Sequence, residues 1–154
     1  MADAGPQAMA GKRGQPGVES PRSEDYLEAV YHLIDDKGYA ATSDISTALN
    51  VRPPTVTNMI GKLASKGYLE YERYRGAKLT PDGERVARSV IRRHRIIMDF
   101  LVMMGVDDQT AFTDTEGIEH HVHPTTIHRI EKLADYLRAR PETLKSIRKH
   151  AEGD

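Results

Sequence analysis

The chain has 154 residues, of which 38% are hydrophobic and 29% charged, a composition typical of a soluble, helix-rich protein with one domain or two small ones. It has no cysteine, which excludes disulfides and thiolate metal sites. It also has no signal-peptide core and no apolar run near the ~20 residues that span a bilayer, so it is predicted to be cytoplasmic. The net charge of −1 alone argues against nucleic-acid binding, but residues 52–95 carry +7 between two segments of −4 each, which predicts one cationic surface in the middle of the chain.

The first 22 residues are rich in glycine, proline and alanine and have no hydrophobic period, which predicts a disordered extension over residues 1–22. Ser23 is the expected N-cap of the first helix, and Gly38 is expected to end it. Between them, apolar residues recur at helical spacing, namely Tyr26, Val30, Leu33 and Ile34. The first helix is therefore expected to bury one face.

Two crossed helices are predicted next. The second helix begins at a capping Thr42 or Ser43, and the third has Pro53 and Pro54 in its first turn, where a missing N–H group leaves no helical bond unmade. Gly67 is expected to cap the third helix. The contact between the two helices is predicted to consist of apolar residues at core spacing: Ile45, Leu49, Val51, Val56 and Ile60.

A small hairpin is predicted after the third helix. The stretch "YLEYERY" alternates like a strand, "RGA" at 75–77 predicts the turn, and "KLT" pairs back. This order of elements is that of a winged helix-turn-helix, so residues 23–80 are predicted to form a DNA-binding domain. The hairpin alone suits a merely solvated turn equally well. The candidate DNA contacts are small, amide or cationic groups on the third helix and at the hairpin tip: Pro54, Thr55, Thr57, Asn58, Lys62, Arg73, Arg75 and Lys78.

The remainder, residues 81–154, is predicted to be all helical, which makes the fold class mainly α. One long helix should run from Pro81 to Gly105, followed by two or three further helices. An inward stripe on the long helix is formed by Val86, Val90, His94, Ile97 and Leu101. A lone histidine on an apolar face is usually a hydrogen-bonded core residue, so His94 needs a partner elsewhere before it can be interpreted as a ligand.

Such a partner is offered by "TEGIEHHVHP" at 115–124, which is dense in metal-ligand side chains. Glu116, Glu119 and His120 stand at i, i+3 and i+4, a spacing that places them on one helix face where they could clamp a divalent ion. His94 is then better interpreted as a ligand than as a core residue. The pair Asp25 and Glu28 is, by itself, ordinary acidity at a helix N-terminus. The remaining histidines of this region are expected at the surface: His121, His123 and His128.

From Ser23 to about residue 150, the chain resembles the manganese-responsive repressors of the diphtheria-toxin-repressor superfamily. The resemblance is carried by "EDYLEAVYHLI", "KGYA", "SDI", "YRG", the "RH" at 93–94 and above all "EGIEHH". It implies a C-terminal metal-binding and dimerisation domain over 81–154, and a binuclear Mn²⁺ site with two ions per subunit. One ion would be held by Asp25, Glu28, His94 and Glu116, and the other by Glu116, Glu119 and His120.

The resemblance also implies a function. The protein would be a homodimer that binds double-stranded operator DNA when Mn²⁺ is present and represses manganese-uptake genes. The iron-sensing branch of the superfamily has sulfur ligands at the positions of Asp25 and Glu119, and the two carboxylates found here suit Mn²⁺ better. Without metal, the converging carboxylates should repel and loosen the two halves, and bound metal should tie them together.

Two other functions stay open from the residues alone. One is a winged-helix regulator that responds to another ligand or metal. The other is a di-metal carboxylate enzyme of ferritin-like type, which needs two Glu-x-x-His pairs on separate helices, and the chain has no such pair. A His-Glu-x-x-His motif is absent as well. The sequence therefore favours a DNA-binding regulator over an enzyme, with neither a membrane nor a small organic substrate as partner.

Overall fold

The computed structural model describes residues 21–153. Within that range the chain forms seven α-helices, one 3-10 helix and one two-stranded sheet, in this order: α1 Pro21–Lys37, α2 Thr42–Leu49, α3 Pro53–Ser65, β1 Leu69–Glu72, β2 Gly76–Leu79, α4 Pro81–Met103, α5 Asp108–Ile118, the 3-10 helix Glu119–His121, α6 Pro124–Arg138 and α7 Pro141–Ala151. Residues 1–20 of the expected extension lie outside the described residues. None of the described helices is both long and apolar enough to cross a membrane.

The first two helices begin differently from the prediction. Helix α1 starts at Pro21, so Ser23 lies inside the helix rather than capping it. The N-cap of α2 is Ala41, which makes no side-chain cap hydrogen bond, so neither Thr42 nor Ser43 has the expected capping role. Local capping preferences did not decide either start, since the packing of a whole helix outweighs one hydrogen bond.

The helix ends agree better with the prediction. Gly38 follows α1 with a φ of +79°, and its N–H donates to the carbonyl of Ile34 at 2.8 Å. Helix α3 has proline in its first turn, as expected. It is followed by Gly67, which also has a φ of +79° and donates to Ala64 at 2.9 Å. Glycine adopts this left-handed conformation without a steric penalty, so both helices can end sharply.

The hairpin turn lies two residues earlier than predicted. Glu72 pairs with Gly76 across the antiparallel strands, so the chain reverses at 73–75 and not at "RGA". Gly76 and Ala77 instead belong to β2, where the Ala77 N–H donates to the carbonyl of Ala40 at 2.8 Å. The backbone of Ala40 comes so close that a side chain at Gly76 would overlap it. This contact ties the hairpin to the segment between α1 and α2.

Two hydrophobic cores lie along the long helix α4. The first joins α1, α2, α3 and the hairpin to the start of α4, and its fully buried residues include Leu27, Val30, Ile45, Val56, Leu63 and Ala87. The second packs α4 against α6 around Ile96, Ile97 and Ile127. Helix α1 also packs along α4. The structure is thus mainly helical. Helix α4 contributes residues to both cores, so it fixes the position of one core relative to the other.

Substitution of Gly83 should separate backbone crowding from ordinary helix propensity. A Cβ atom at Gly83, in the first turn of α4, would overlap the carbonyl oxygen of Tyr68. We expect Gly83→Ala to lower the free energy of unfolding by about 2 kcal/mol, because the clash is with backbone that cannot rotate away. Gly61→Ala on α3 is the matched control, since nothing lies within 4 Å of its added Cβ. The control should gain up to about 1 kcal/mol in denaturant unfolding, and equal effects at the two positions would contradict the assignment.

Candidate metal centre and DNA-binding surface

The acidic cluster sits where α5 gives way to the 3-10 helix. Glu116 lies on the last turn of α5, whereas Glu119 and His120 lie on the 3-10 helix, so the three do not share one continuous α-helix as expected. The change of helix type separates their environments. The Glu119 side chain is 1% exposed, and the Glu116 side chain is 53% exposed. One carboxylate is therefore buried at the base of the cluster and the other stands at its rim.

His94 reaches this cluster from α4. Its Nδ1 lies 2.9 Å from Oε2 of Glu119 and 3.2 Å from Oε1 of Glu116. Ligand atoms of the three residues all lie within 4.8 Å of one another, close enough to share one metal ion. The histidine that interrupts the apolar stripe of α4 thus faces carboxylates, as the ligand interpretation requires.

His120 links the cluster to α1. Its Nε2 lies 2.8 Å from Oδ1 of Asp25 and 3.5 Å from Oε1 of Glu119. On the other side of the ring, Nδ1 lies 2.6 Å from Oε2 of Glu24. Helix α1 of the DNA-binding half and the 3-10 helix of the C-terminal half therefore meet directly at one imidazole.

Glu28, one turn after Asp25, completes the group. Asp25, Glu28, Glu116 and His120 line the same cavity between α1 and the 3-10 helix. Glu28 also lies 3.6 Å from Nε2 of His32. Four of the six sequence-predicted ligands thus line one cavity, and the other two, His94 and Glu119, contact Glu116 and His120 beside it. The surface histidines were placed correctly, because His121, His123 and His128 are exposed.

Two residues that the sequence reasoning missed lie directly behind this group. Arg93 donates from Nη2 to Oε2 of Glu24 at 2.6 Å, and both side chains are largely buried. The two residues are 69 positions apart, so no local spacing indicates the pair. The sole hint in the sequence is that each adjoins a candidate ligand, since Glu24 precedes Asp25 and Arg93 precedes His94.

Burial perturbs the carboxyl groups of the cluster. Desolvation raises the pKa of Glu119, and the negative charges of Glu116 and Glu28 add to this effect, while His94 opposes it. Burial likewise raises the pKa of Glu28 and of Asp25. The carboxylates therefore hold protons more tightly than free side chains do, because several negative charges converge away from water.

The pKa of His120 is raised, although burial of its ring acts to lower it. Desolvation lowers the pKa of its ring, but the hydrogen bond to Glu24 and the charges of Asp25 and Glu119 outweigh that effect and raise the pKa. The ring is stabilised in its positively charged form. A cation of some kind is thus favoured in the middle of this cluster.

The donor atoms fit a divalent metal ion. They are carboxylate oxygens and imidazole nitrogens, with no sulfur among them, the set that suits a borderline-to-hard cation. The raised pKa values of the buried carboxyl groups show a site where extra positive charge would be stabilising. A bound cation would take over the neutralising role that protons and His120 have in its absence.

The candidate DNA contacts lie on the first half of the molecule. On α3, Pro54, Thr57, Asn58 and Lys62 are exposed and Thr55 is half-buried. At the hairpin, Arg73 lies over the ring of Tyr74 at 5.8 Å. Helix α3 packs against β1 of the hairpin, so these side chains lie on neighbouring elements, and their role as DNA contacts stays a prediction.

Part of the wing's positive charge is neutralised within the hairpin. Nζ of Lys78 lies 2.7 Å from Glu72, and Nε of Arg75 lies 3.7 Å from the same carboxylate. The hydrogen bond from Lys78 lowers the pKa of Glu72, so this carboxylate stays charged. Both cations are predicted DNA contacts, so a DNA phosphate must compete with Glu72 for them.

Profiles of one protein family match both halves of the chain. The N-terminal DNA-binding domain of the iron-dependent repressors matches residues 20–77. The metal-binding and dimerisation domain of the same repressors matches residues 80–148. Together the two matches span most of the chain.

Individual relatives agree with the family profiles. The HTH-type transcriptional regulator MntR of Bacillus subtilis (strain 168) is 45% identical over 138 residues, which cover 88% of this chain and 97% of the relative. The regulator of the same name from Lysinibacillus sphaericus (strain C3-41) is 44% identical over 130 residues, covering 84% and 94% of the two chains. These relatives match over nearly their full length.

Solved structures show the same fold. IdeR of T. acidophilum superposes with a TM-score of 0.64 at 34% identity, over 71% of this chain and 52% of that one. The manganese regulator SloR superposes with a TM-score of 0.67 at 28% identity, over 77% and 55%. This chain therefore spans about half the length of these two solved proteins, in contrast to its match with the MntR regulators.

The pKa shifts predict how the stability of the metal-free protein depends on pH. Asp25, Glu28, Glu119 and His120 all have raised pKa values, so the folded state binds more protons than the unfolded state does. The resulting stability is present below the unfolded pKa values of about 4 and about 6.5 and is lost as pH rises through the folded values. With chelator present, the melting temperature should therefore fall as the pH is raised above these unfolded values. Glu119→Gln should weaken this fall, whereas the control Glu84→Gln, whose side chain is 46% exposed, should not. A flat profile in the parent would contradict the shifts.

Proposed function

The chain belongs to the iron-dependent repressor family, and on that premise we propose that Mn²⁺ is the metal it senses. It is a metal-responsive, DNA-binding transcriptional repressor rather than an enzyme. The proposal adds that it binds operator DNA as a homodimer when Mn²⁺ is present, and that the operators control manganese-uptake genes. The observation that carries the proposal is a cluster of four carboxylates and two imidazoles between the two halves, in which Asp25, Glu28, Glu116 and His120 line one cavity and His94 and Glu119 contact Glu116 and His120.

Chemistry of the donor atoms supports Mn²⁺ over iron. A soft thioether or thiolate would favour later or softer metals, whereas carboxylate oxygen with imidazole suits Mn²⁺. Asp25 and Glu119 occupy the positions where iron-sensing relatives are expected to carry sulfur, and the chain has no cysteine at all. The high identity to regulators named MntR points the same way.

Two ions are proposed per subunit, in one shared cavity. Asp25, Glu28 and His94 would hold the first ion, Glu119 and His120 would hold the second, and Glu116 would bridge the two. The contacts in the structure cross this division, since His94 lies beside Glu119 and His120 beside Asp25. Such mixed pairing is expected where histidines neutralise the carboxylates that metal ions would otherwise neutralise.

The placement of the ligands explains how metal could control DNA binding. Asp25 and Glu28 belong to α1, which packs against α2 and α3, whereas the other ligands belong to α4, α5 and the 3-10 helix. Any cation held by both groups restricts how α3 and the wing sit relative to α4. Metal then favours one arrangement of the DNA-binding surface, and by linkage DNA raises metal affinity by the same factor.

A homodimer is supported by the apolar surface of the C-terminal half. Four large apolar side chains on α5 and α6 are 43–52% exposed: Phe112, Ile118, Leu133 and Tyr136. The matching family domain is a metal-binding and dimerisation domain. A second copy packed on these helices would place two α3 helices on one face of the dimer, where they could contact two half-sites.

A DNA titration with and without Mn²⁺ tests the proposed function. The parent should bind operator DNA at least about tenfold more tightly with Mn²⁺, the size of a typical allosteric coupling. His94→Ala should lose this difference while keeping the parental circular-dichroism spectrum. His128→Ala, an exposed histidine on α6, is the matched control and should respond as the parent does. A parent that binds DNA equally well in chelator would contradict metal activation.

Substitution of Arg75 tests the wing. Its side chain is 75% exposed, and its sole ion-pair partner among the described residues is Glu72. Arg75→Ala should weaken binding to specific and random DNA alike, and should reduce the slope of log affinity against log salt by about one. Arg138→Ala on α6, also a surface arginine, should leave that slope unchanged. Parental affinity of Arg75→Ala at low salt would remove the wing from the DNA interface.

A further inference from the structure

We propose that Glu24, held in place by Arg93, is a positioning residue that presents Nε2 of His120 to the metal cavity. The inference deepens the proposed function, because it rests on His120 being a metal ligand. Glu24 is not itself among the proposed ligands. Its carboxylate lies behind the ring of His120, on the side away from Asp25 and Glu119.

One carboxylate oxygen makes both contacts. Oε2 of Glu24 accepts from Nη2 of Arg93 at 2.6 Å, and it lies 2.6 Å from Nδ1 of His120. The three side chains are 6%, 14% and 10% exposed, so water competes weakly for these bonds. Charge-assisted hydrogen bonds this short in a buried place hold both partners in one orientation.

These contacts decide which nitrogen of His120 carries the proton when the ring is neutral. Both ring nitrogens face carboxylates, which accept and cannot donate, so the protonated ring donates to Glu24 from Nδ1 and to Asp25 from Nε2. The contact with Glu24 is the shorter one, at 2.6 Å against 2.8 Å, and its carboxylate is 6% exposed against 45% for Asp25, so the neutral ring keeps its proton on Nδ1. The lone pair is then on Nε2, which points at Asp25 and Glu119, where a metal ion would sit. A carboxylate that fixes the tautomer and angle of a ligating histidine typically contributes a large part of metal affinity.

Arg93 makes this arrangement possible. Acidic side chains, Asp25 and Glu28 among them, line the cavity next to Glu24, so a carboxylate buried there needs a positive charge of its own. The guanidinium of Arg93 is always charged and supplies it. Arg93 lies on α4 and Glu24 on α1, so the pair also fastens the two halves together without metal. This fastening opposes the loosening by carboxylate repulsion that the sequence alone suggested.

His94 lacks such a partner on its far side among the described contacts. Its Nδ1, rather than Nε2, faces Glu119 and Glu116. The two imidazoles therefore present different nitrogens to the cavity. Glu24 acts on one of them alone, so its removal should change His120 and leave His94 as it is.

The first test is the tautomer of His120 in metal-free protein. Nitrogen-15 NMR with chelator present, at a pH where the ring is neutral, should show the proton on Nδ1 in the parent. His120→Asn identifies the signal by its loss. Glu24→Ala should give a mixture of both tautomers. Glu131→Gln is the matched control, because Glu131 on α6 accepts two hydrogen bonds of 2.8–2.9 Å from Arg92 on α4, away from His120. This variant should keep the parental tautomer.

The second test is Mn²⁺ affinity, measured from the electron paramagnetic resonance signal of free Mn²⁺. Glu24→Ala should bind about 10–100-fold more weakly than the parent, as is typical when a partner of a ligating histidine is removed. Glu24→Gln keeps an oxygen that can accept from Nδ1 but loses the charge that pairs with Arg93. It should therefore keep the parental tautomer and bind Mn²⁺ more weakly than the parent but more tightly than Glu24→Ala. Glu131→Gln should bind as the parent does.

Several outcomes would overturn the inference. If the neutral His120 ring of the parent carries its proton on Nε2, the inference is wrong whatever the variants show. A folded Glu24→Ala with the parental tautomer and affinity would overturn it as well. If Glu24→Ala fails to fold, Glu24→Gln decides, and parental Mn²⁺ affinity in that variant would exclude the positioning role. A parent that binds no Mn²⁺ would instead refute the proposed metal, and the tautomer measurement would still decide the role of Glu24.

Discussion

Burial of the Glu119 carboxylate is the constraint on which the metal centre depends. A carboxylate that is 1% exposed cannot stay charged without a nearby positive charge, and two other carboxylates raise the cost further. His94 and His120 approach it, and burial raises its pKa. The fold thus creates a place that favours a cation.

The cavity lies where the two halves of the molecule meet, so neutralising its charge affects how the two halves pack. Helix α1 packs into the first core and also lines the cavity, while α4 belongs to both cores. Close backbone contacts, such as that of Gly76 with Ala40, tie the hairpin to the segment between α1 and α2. The proposed control of DNA binding requires that a cation in the cavity act on α1 and, through its packing, on α3 and the wing.

The sequence by itself determined the elements and the types of donor. Apolar spacing predicted the winged helix-turn-helix and the long helix, because helical periodicity reports which face is buried. Prolines at the start of α3 and glycines after α1 and α3 predicted the helix limits through backbone sterics. The density of carboxylate and imidazole in "EGIEHH", together with His94, predicted a metal centre without sulfur. The geometry of a single element follows from residues a few positions apart, so a local pattern suffices.

Tertiary structure alone decided the contacts between distant residues and the degree of burial. It paired Glu24 with Arg93 across 69 positions and buried Glu119 while leaving Glu116 at the rim. It also placed the hairpin turn two residues earlier than the local pattern indicated, because the strand continues to the backbone of Ala40. Desolvation and pairing depend on which surfaces pack together, and that is settled by the summed burial of two cores rather than by any one stretch of sequence.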